Sequence, residues 1–343
     1  MPPLHRPQRT AELFAARFGP QPVSTQQALE SGLTRAALDA AVQRGLLTRP
    51  RRGVLALPPP GPTAERSGLL AASAQDGAQV VAALSAARQV VGAGCVVTDD
   101  AAALLHGLPR PRARFPEEIC FATDGAAFIG PGVRIRTTPI PPEHRTVVDG
   151  IPVTTLERTA IDLARGCSLP SALIPLDACA RRIIAATTGA EGNSLRCHVH
   201  EPSMRSHARD TLHRALRECF GWAGTVVVRQ AIDLVEPASE SPTESRSRGW
   251  FLVAGIRGLR YGVPIAVGGG TYWADFCSPE HRVIGEADGW SKYGGTPEEH
   301  RRTLTAERER QTRIETEGWR FARWTSIESE RTVVTRMRNA LAR

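Results

Sequence analysis

The chain has 343 residues, 41% of them hydrophobic, which suffices for two or three domains of about 150 residues each and excludes wholesale disorder. Its net charge of +8 favours an anionic partner, of which nucleic acid is the commonest. Seven cysteines without a CxxC pair argue against a disulfide framework or a zinc ribbon, and no apolar run is long enough to span a membrane. The start of the chain, Met1-Pro2-Pro3-Leu4-His5-Arg6, lacks the apolar core of a signal peptide, so a soluble, cytoplasmic protein is expected.

In chain order, the first elements are helices over residues 10–18 and 24–31 and a third over 34–44, opened by a Thr34 cap and closed at Gly45. The second and third, joined by a tight turn at Gly32, have the spacing of a helix-turn-helix. Residues 46–57 then read as two short strands around a basic turn, a wing. Residues 1–57 hold eight arginines against Glu12, Glu30 and Asp39. Arg35, at the start of the third helix, and Arg49, Arg51 and Arg52, in the wing, are the candidate contacts to DNA phosphates or a groove. A small helical domain that docks on protein is the alternative.

The text Ala28-Leu29, Gly32-Leu33-Thr34, Leu38, Arg44-Gly45-Leu46-Leu47 and Arg52-Gly53-Val54 resembles the winged-helix N-terminal domain of the AbiEi family, the antitoxins of type IV toxin–antitoxin systems. The likeness continues into Val97-Thr98-Asp99-Asp100-Ala101 through His106-Gly107-Leu108, and into Gly150-Ile151-Pro152-Val153-Thr154 through Leu163, which are similar to that family's central domain. It implies DNA binding by a regulator, with a partner toxin if the chain is an antitoxin.

Pro58-Pro59-Pro60-Gly61-Pro62 is a stiff linker. Beyond it, over residues 63–186, helices expected at 79–90, 99–105, 156–165 and 170–184 alternate with strands at 118–122 and 133–138, a mixed α/β middle domain. Thr154 and Glu157 have the spacing of a capping box, which makes Glu157 structural. No phosphate loop, GxSxG elbow or HExxH occurs. Cys197-His198-Val199-His200 has no second half and reads as a loop rather than a metal site. Residues 187–240 are expected to be a linker and a connecting helix.

Residues 241–343 carry the candidate chemistry. Ser241-Pro242-Thr243-Glu244 opens a helix, and Glu244 there suits a capping box and a functional carboxylate equally. Two hairpins follow. If the loop of the second is two or four residues long, Asp275 lies opposite Ile284 and Glu286 shares its face diagonally, whereas an odd-length loop would put them on opposite faces. Two such carboxylates could hold one hard cation, Mg2+ or Mn2+. Lys292 is the only lysine among 43 basic residues, and a compact ammonium near paired carboxylates is what a phosphodiesterase site uses. A charged helix over 297–317 and a strand over 318–325 close the region.

Ser241-Pro242-Thr243-Glu244-Ser245, Arg248, Ala274-Asp275-Phe276, Glu286-Ala287-Asp288-Gly289, Glu307, Arg310 and Gly318-Trp319-Arg320 with Arg323 resemble the domain family related to very-short-patch-repair endonucleases, within the PD-(D/E)xK superfamily. The resemblance implies metal binding by Asp275 and Glu286, with Glu244 assisting, Asp288 as an additional acid and Lys292 acting on the scissile phosphate. Asp288 stands where the superfamily's lysine normally does. The expected protein is therefore an α/β multidomain chain: a winged helix-turn-helix, a mixed middle domain and a restriction-endonuclease-like domain that hydrolyses double-stranded DNA with Mg2+. The alternatives are a non-catalytic AbiEi-type regulator and an RNA-directed nuclease. Winged-helix regulators commonly use two half-sites, which would suit a homodimer.

Overall fold

The computed structural model describes residues 6–19, 23–51, 53–58, 94–111, 118–130, 133–219, 222–267, 270–288 and 308–342. The expected helix at 79–90, most of the proline linker, Arg52, Gly289, Lys292, Glu307 and the first part of the helix at 297–317 lie outside them. The chain divides into two compact units, Met1–Leu105 with Arg114–Thr154, and His106–Ala113 with Thr155–Arg343.

The first unit begins with helices Arg6–Phe18, Thr25–Glu30 and Arg35–Gln43, within one residue of the expected ends for the last two. Strands β1 (Val23–Ser24), β2 (Thr48–Arg51) and β3 (Val54–Ala56) form an antiparallel sheet in the order β1-β3-β2. Phe14, Ala28, Leu38, Leu47 and Leu55 fill the core beneath them. Local signals explain the boundaries. Ser24 and Gln27 satisfy each other's backbone N–H groups in a capping box, and Thr34 caps the third helix by accepting from Ala37. Gly32, at φ +89°, makes the turn between the two helices in a conformation that side chains resist.

A second sheet in this unit has six strands: β4 (Val96–Val97), β5 (Ile119–Thr123), β6 (Phe128–Gly130), β7 (Val133–Thr137), β8 (Arg145–Val148) and β9 (Ile151–Thr154). Their order is β6-β7-β5-β4-β9-β8, with β4–β9 and β5–β7 parallel and the rest antiparallel. Helix Asp99–His106 packs Ala101 and Ala102 against Phe121 and Val153.

The second unit is built around the long helix Leu169–Thr188, which carries Pro175 inside it and ends at Gly189 in the left-handed region. Helices Leu156–Ala164, Pro202–Arg217, Thr225–Asp233 and Pro242–Val253 pack on it. Residues 187–240, expected to link two domains, are thus largely helical and part of this body. Gly249 permits the closest approach, since a Cβ there would lie 2.4 Å from Pro170 Cα. Helix Leu156–Ala164 is capped by Thr155, whose side chain accepts from Arg158, and not by Thr154 as the spacing suggested. Thr154 remains in β9, where its backbone serves the ladder, so the cap moves one residue on.

A four-stranded sheet completes the unit, with β10 (Arg260–Val267), β11 (Gly270–Ser278), β12 (Val283–Asp288) and β13 (Arg320–Thr325) in sequential order. The first three are antiparallel, while β13 joins β12 in parallel. Phe251, from helix Pro242–Val253, and Val333 and Met337, from helix Glu330–Leu341, pack with Phe276 and Trp324. A helix over 308–316 contributes Ile314 to a separate cluster with Ile265, Tyr272 and Ile284.

Candidate functional site

Two groups of residues satisfy the chemistry sought in the sequence, and they differ in kind. The first lies on the N-terminal helices and strands. Arg9, Arg17, Arg35, Arg44 and Arg49 are all exposed. Only Arg49 forms an ion pair among the described residues, with Asp39 on helix Arg35–Gln43. Arg35 occupies the first position of that helix, directly after the Thr34 cap. Arg51 ends β2. In general, exposed guanidinium groups of this kind are what phosphate contacts draw on, each such contact releasing a counterion.

The second group surrounds the C-terminal sheet. Ser278 stays in the β11–β12 ladder opposite Val283, so the turn comprises residues 279–282. Ile284 therefore faces Cys277, and the expected pairing of Ile284 with Asp275 is corrected. The turn begins one residue later than anticipated while keeping four residues, which moves the register by two and preserves side-chain parity. Continued from Phe276–Gly285, the same register sets Asp275 level with Glu286 rather than diagonal to it.

Asp275 Oδ2 accepts from the Ala287 backbone N–H at 2.9 Å. Glu286 is 4% exposed, and its Oε2 lies 3.0 Å from Arg323 Nη2, the residue opposite it on β13, and 4.0 Å from Arg310. Asp288 lies 3.9 Å from the other Arg323 nitrogen. Glu244, 7% exposed, accepts from the Glu240 backbone N–H at 2.8 Å, while Ser241 caps the helix by accepting from Glu244 N–H. Its carboxylate therefore reaches one residue beyond the cap instead of closing a box on Ser241. Burial, and then the charge of Asp275, push the Glu244 carboxyl up to about 8.

Glu240 has the opposite fate. Burial pushes its carboxyl up, but the bonds from Arg196 at 2.8 Å and from Arg181 at 2.9 Å outweigh this and hold it below the ordinary value. Arg196, whose guanidinium is held charged first by that hydrogen bonding, also lies within reach of the charges on Asp275 and Glu244.

The structure thus brings Glu244, Asp275 and Glu286 into one neighbourhood, with Asp288 at its margin. Arg323 already neutralises Glu286, and no group of three His, Cys, Asp or Glu residues among the described ones is arranged to hold a metal ion. The sequence reading missed Arg196, and it named Arg310 and Arg323 only as residues of the resemblance, without a role beside these carboxylates. The alternation in Arg320-Phe321-Ala322-Arg323-Trp324 marked a strand, but nothing in it reveals a parallel partner.

No helix among the described residues is long and apolar enough to cross a membrane. Comparison with known proteins divides along the chain. Residues 11–58 match a family model described as "Transcriptional regulator, AbiEi antitoxin", and residues 92–213 match "AbiEi antitoxin C-terminal domain". The chain is also similar to two proteins of Mycobacterium tuberculosis, Uncharacterized protein MT2308 of strain CDC 1551 / Oshkosh and Uncharacterized protein Rv2248 of a second strain. Each is 26% identical over 294 residues, spanning 84% of this chain and 88% of the relative. The first model covers the helices and strands that carry the exposed arginines; the second covers the six-stranded sheet and runs on to helix Pro202–Arg217. The C-terminal sheet lies outside both matched segments, and it is the N-terminal and central parts of this chain that are similar to AbiEi antitoxin domain families.

Proposed function

We propose that the protein is a DNA-binding transcriptional regulator of the AbiEi antitoxin type, with residues 6–56 acting as a winged helix-turn-helix. One observation carries this reading. The segment that matches a regulator model is also the one in which the described arginines Arg17, Arg35, Arg44 and Arg49 are exposed and, apart from Arg49, carry no ion pair among the described residues. Helix Arg35–Gln43 would enter the major groove with Arg35 at its start, and the β2–β3 hairpin would follow the adjacent backbone through Arg49 and Arg51. Phosphates supply most of the affinity in such an interface, and a dimer would read two half-sites. A partner toxin follows from the antitoxin likeness. Fluorescence anisotropy of the full chain with duplex DNA from its own upstream region tests the reading. Specific, salt-sensitive binding is expected, and binding that does not exceed that to random duplex DNA would remove the regulator.

A second reading, a metal-dependent nuclease, is favoured by the grouping of Glu244 with Asp275. Like-charged carboxyl groups this close relieve their repulsion by sharing a proton or by taking a cation. Incubation of the full chain with plasmid DNA in Mg2+ or Mn2+, against an EDTA control, decides it. Glu244→Gln and Lys292→Met should each suppress cleavage if the reading holds. Intact plasmid under every condition leaves the regulator alone.

A further inference from the structure

A cleft of about 390 Å3 opens beside the C-terminal sheet, lined by Val267, Gly270–Trp273, Arg196, Arg310, Arg313 and Ile314. Three guanidinium groups and no carboxylate appear among these lining residues. Arg196 is fixed there: its Nε and Nη2 both donate to Glu240, and its guanidinium lies 5.3 Å from the Trp273 ring centre. Arg310 is placed 4.5 Å over the Tyr272 ring. Arg313 stands one turn further along the same helix, exposed, with no side-chain hydrogen bond or ion pair among the described residues.

A guanidinium stacked on an aromatic face keeps its N–H donors in its own plane, where they suit the oxygens of a phosphate. The volume lies toward the small end of ligand sites. Flat aromatic walls next to in-plane donors accept a ring joined to an anion. From this juxtaposition we infer that the cleft binds a nucleoside phosphate, with Arg310 and Arg313 on the phosphate and Trp273 or Tyr272 beside the base. The ligand is a free mononucleotide or one unit of a single-stranded nucleic acid, and the shared chemistry is the same. The inference is independent of duplex binding by the N-terminal region.

Calorimetric titration of the full chain with AMP, with a 5′-phosphorylated single-stranded oligonucleotide and with inorganic phosphate tests it. Saturable binding of AMP assigns a free nucleotide, and binding of the oligonucleotide alone assigns a strand. Arg313→Ala should weaken either roughly tenfold, the scale of a charge-assisted hydrogen bond. Trp273→Leu should weaken the nucleotide while leaving the Tm unchanged. Absence of binding by both nucleotide probes, equal affinity for inorganic phosphate and AMP, or affinity unchanged in both Arg313→Ala and Arg310→Ala would each overturn the inference.

Discussion

Four arginines of the N-terminal helices and four of the second unit are the same residue in opposite settings. Arg9, Arg17, Arg35 and Arg44 are exposed and carry no ion pair among the described residues. In the second unit, Arg205 forks Glu236 at 2.6 and 2.7 Å, Arg196 forks Glu240, Arg323 meets Glu286, and Arg248 joins the fully buried Asp177 at 2.9 and 3.0 Å. One set is exposed charge; the other is internal counter-charge. Net charge merges the two, which is why composition alone overstates how much of this chain is available to an anion.

If that contrast is real, Arg248→Met should produce the largest effect. Burial already pushes the Asp177 carboxyl above its ordinary value, and the substitution would leave it without its guanidinium. A loss of about 3–5 kcal/mol in urea unfolding is expected. A loss no larger than that of an exposed arginine would erase the distinction. Next comes the packing under the paired face. A Cβ on Gly285 would lie 2.7 Å from Met337 Cε and 2.9 Å from Trp324 Cη2, so Gly285→Ala should cost about 1–3 kcal/mol in the same measurement.

Glu244 gives a smaller effect with a diagnostic pH dependence. Its carboxyl rises from an ordinary 4.5 to about 8 on folding. Between those values the folded chain holds a proton that the unfolded chain lacks, so this group's contribution to stability falls as pH rises from 4.5 through about 8. Glu244→Gln should remove that fall, seen as a Tm gap between pH 5 and pH 9 that narrows in the variant. An unchanged gap would show that Asp275 and burial do not act on Glu244. The smallest stability effect belongs to the exposed set: Arg35→Ala, Arg44→Ala and Arg49→Ala should each stay within about 0.5 kcal/mol of the parent.

What the sequence made legible was local. The caps at Thr34 and Ser241 are read from residues three apart, and the hairpin strands from alternation. Signals that join distant segments were not legible. The Asp177–Arg248 pair spans 71 residues, and it fastens helix Pro242–Val253 to the body that the sequence had separated from it. The parallel β12–β13 pairing places Arg323 against Glu286, a neighbour that the strand's own residues do not announce. The register of the β11–β12 turn depended on whether Ser278 stayed in the ladder, a choice that the local residues left open. Lys292, the strongest compositional oddity, lies outside the described residues, so its role rests on the cleavage experiment.

The central claim is that the exposed N-terminal arginines bind duplex DNA through its phosphates. Its most direct test is the dependence of log Kd on log salt for the full chain, compared with the Arg35→Ala, Arg44→Ala, Arg49→Ala triple variant on the same duplex. We expect strong salt dependence in the parent and a slope smaller by roughly 0.9 for each arginine that contacted a phosphate, with folding unchanged. A parent affinity that is indifferent to salt, or a triple variant with the parent's slope, would contradict the claim.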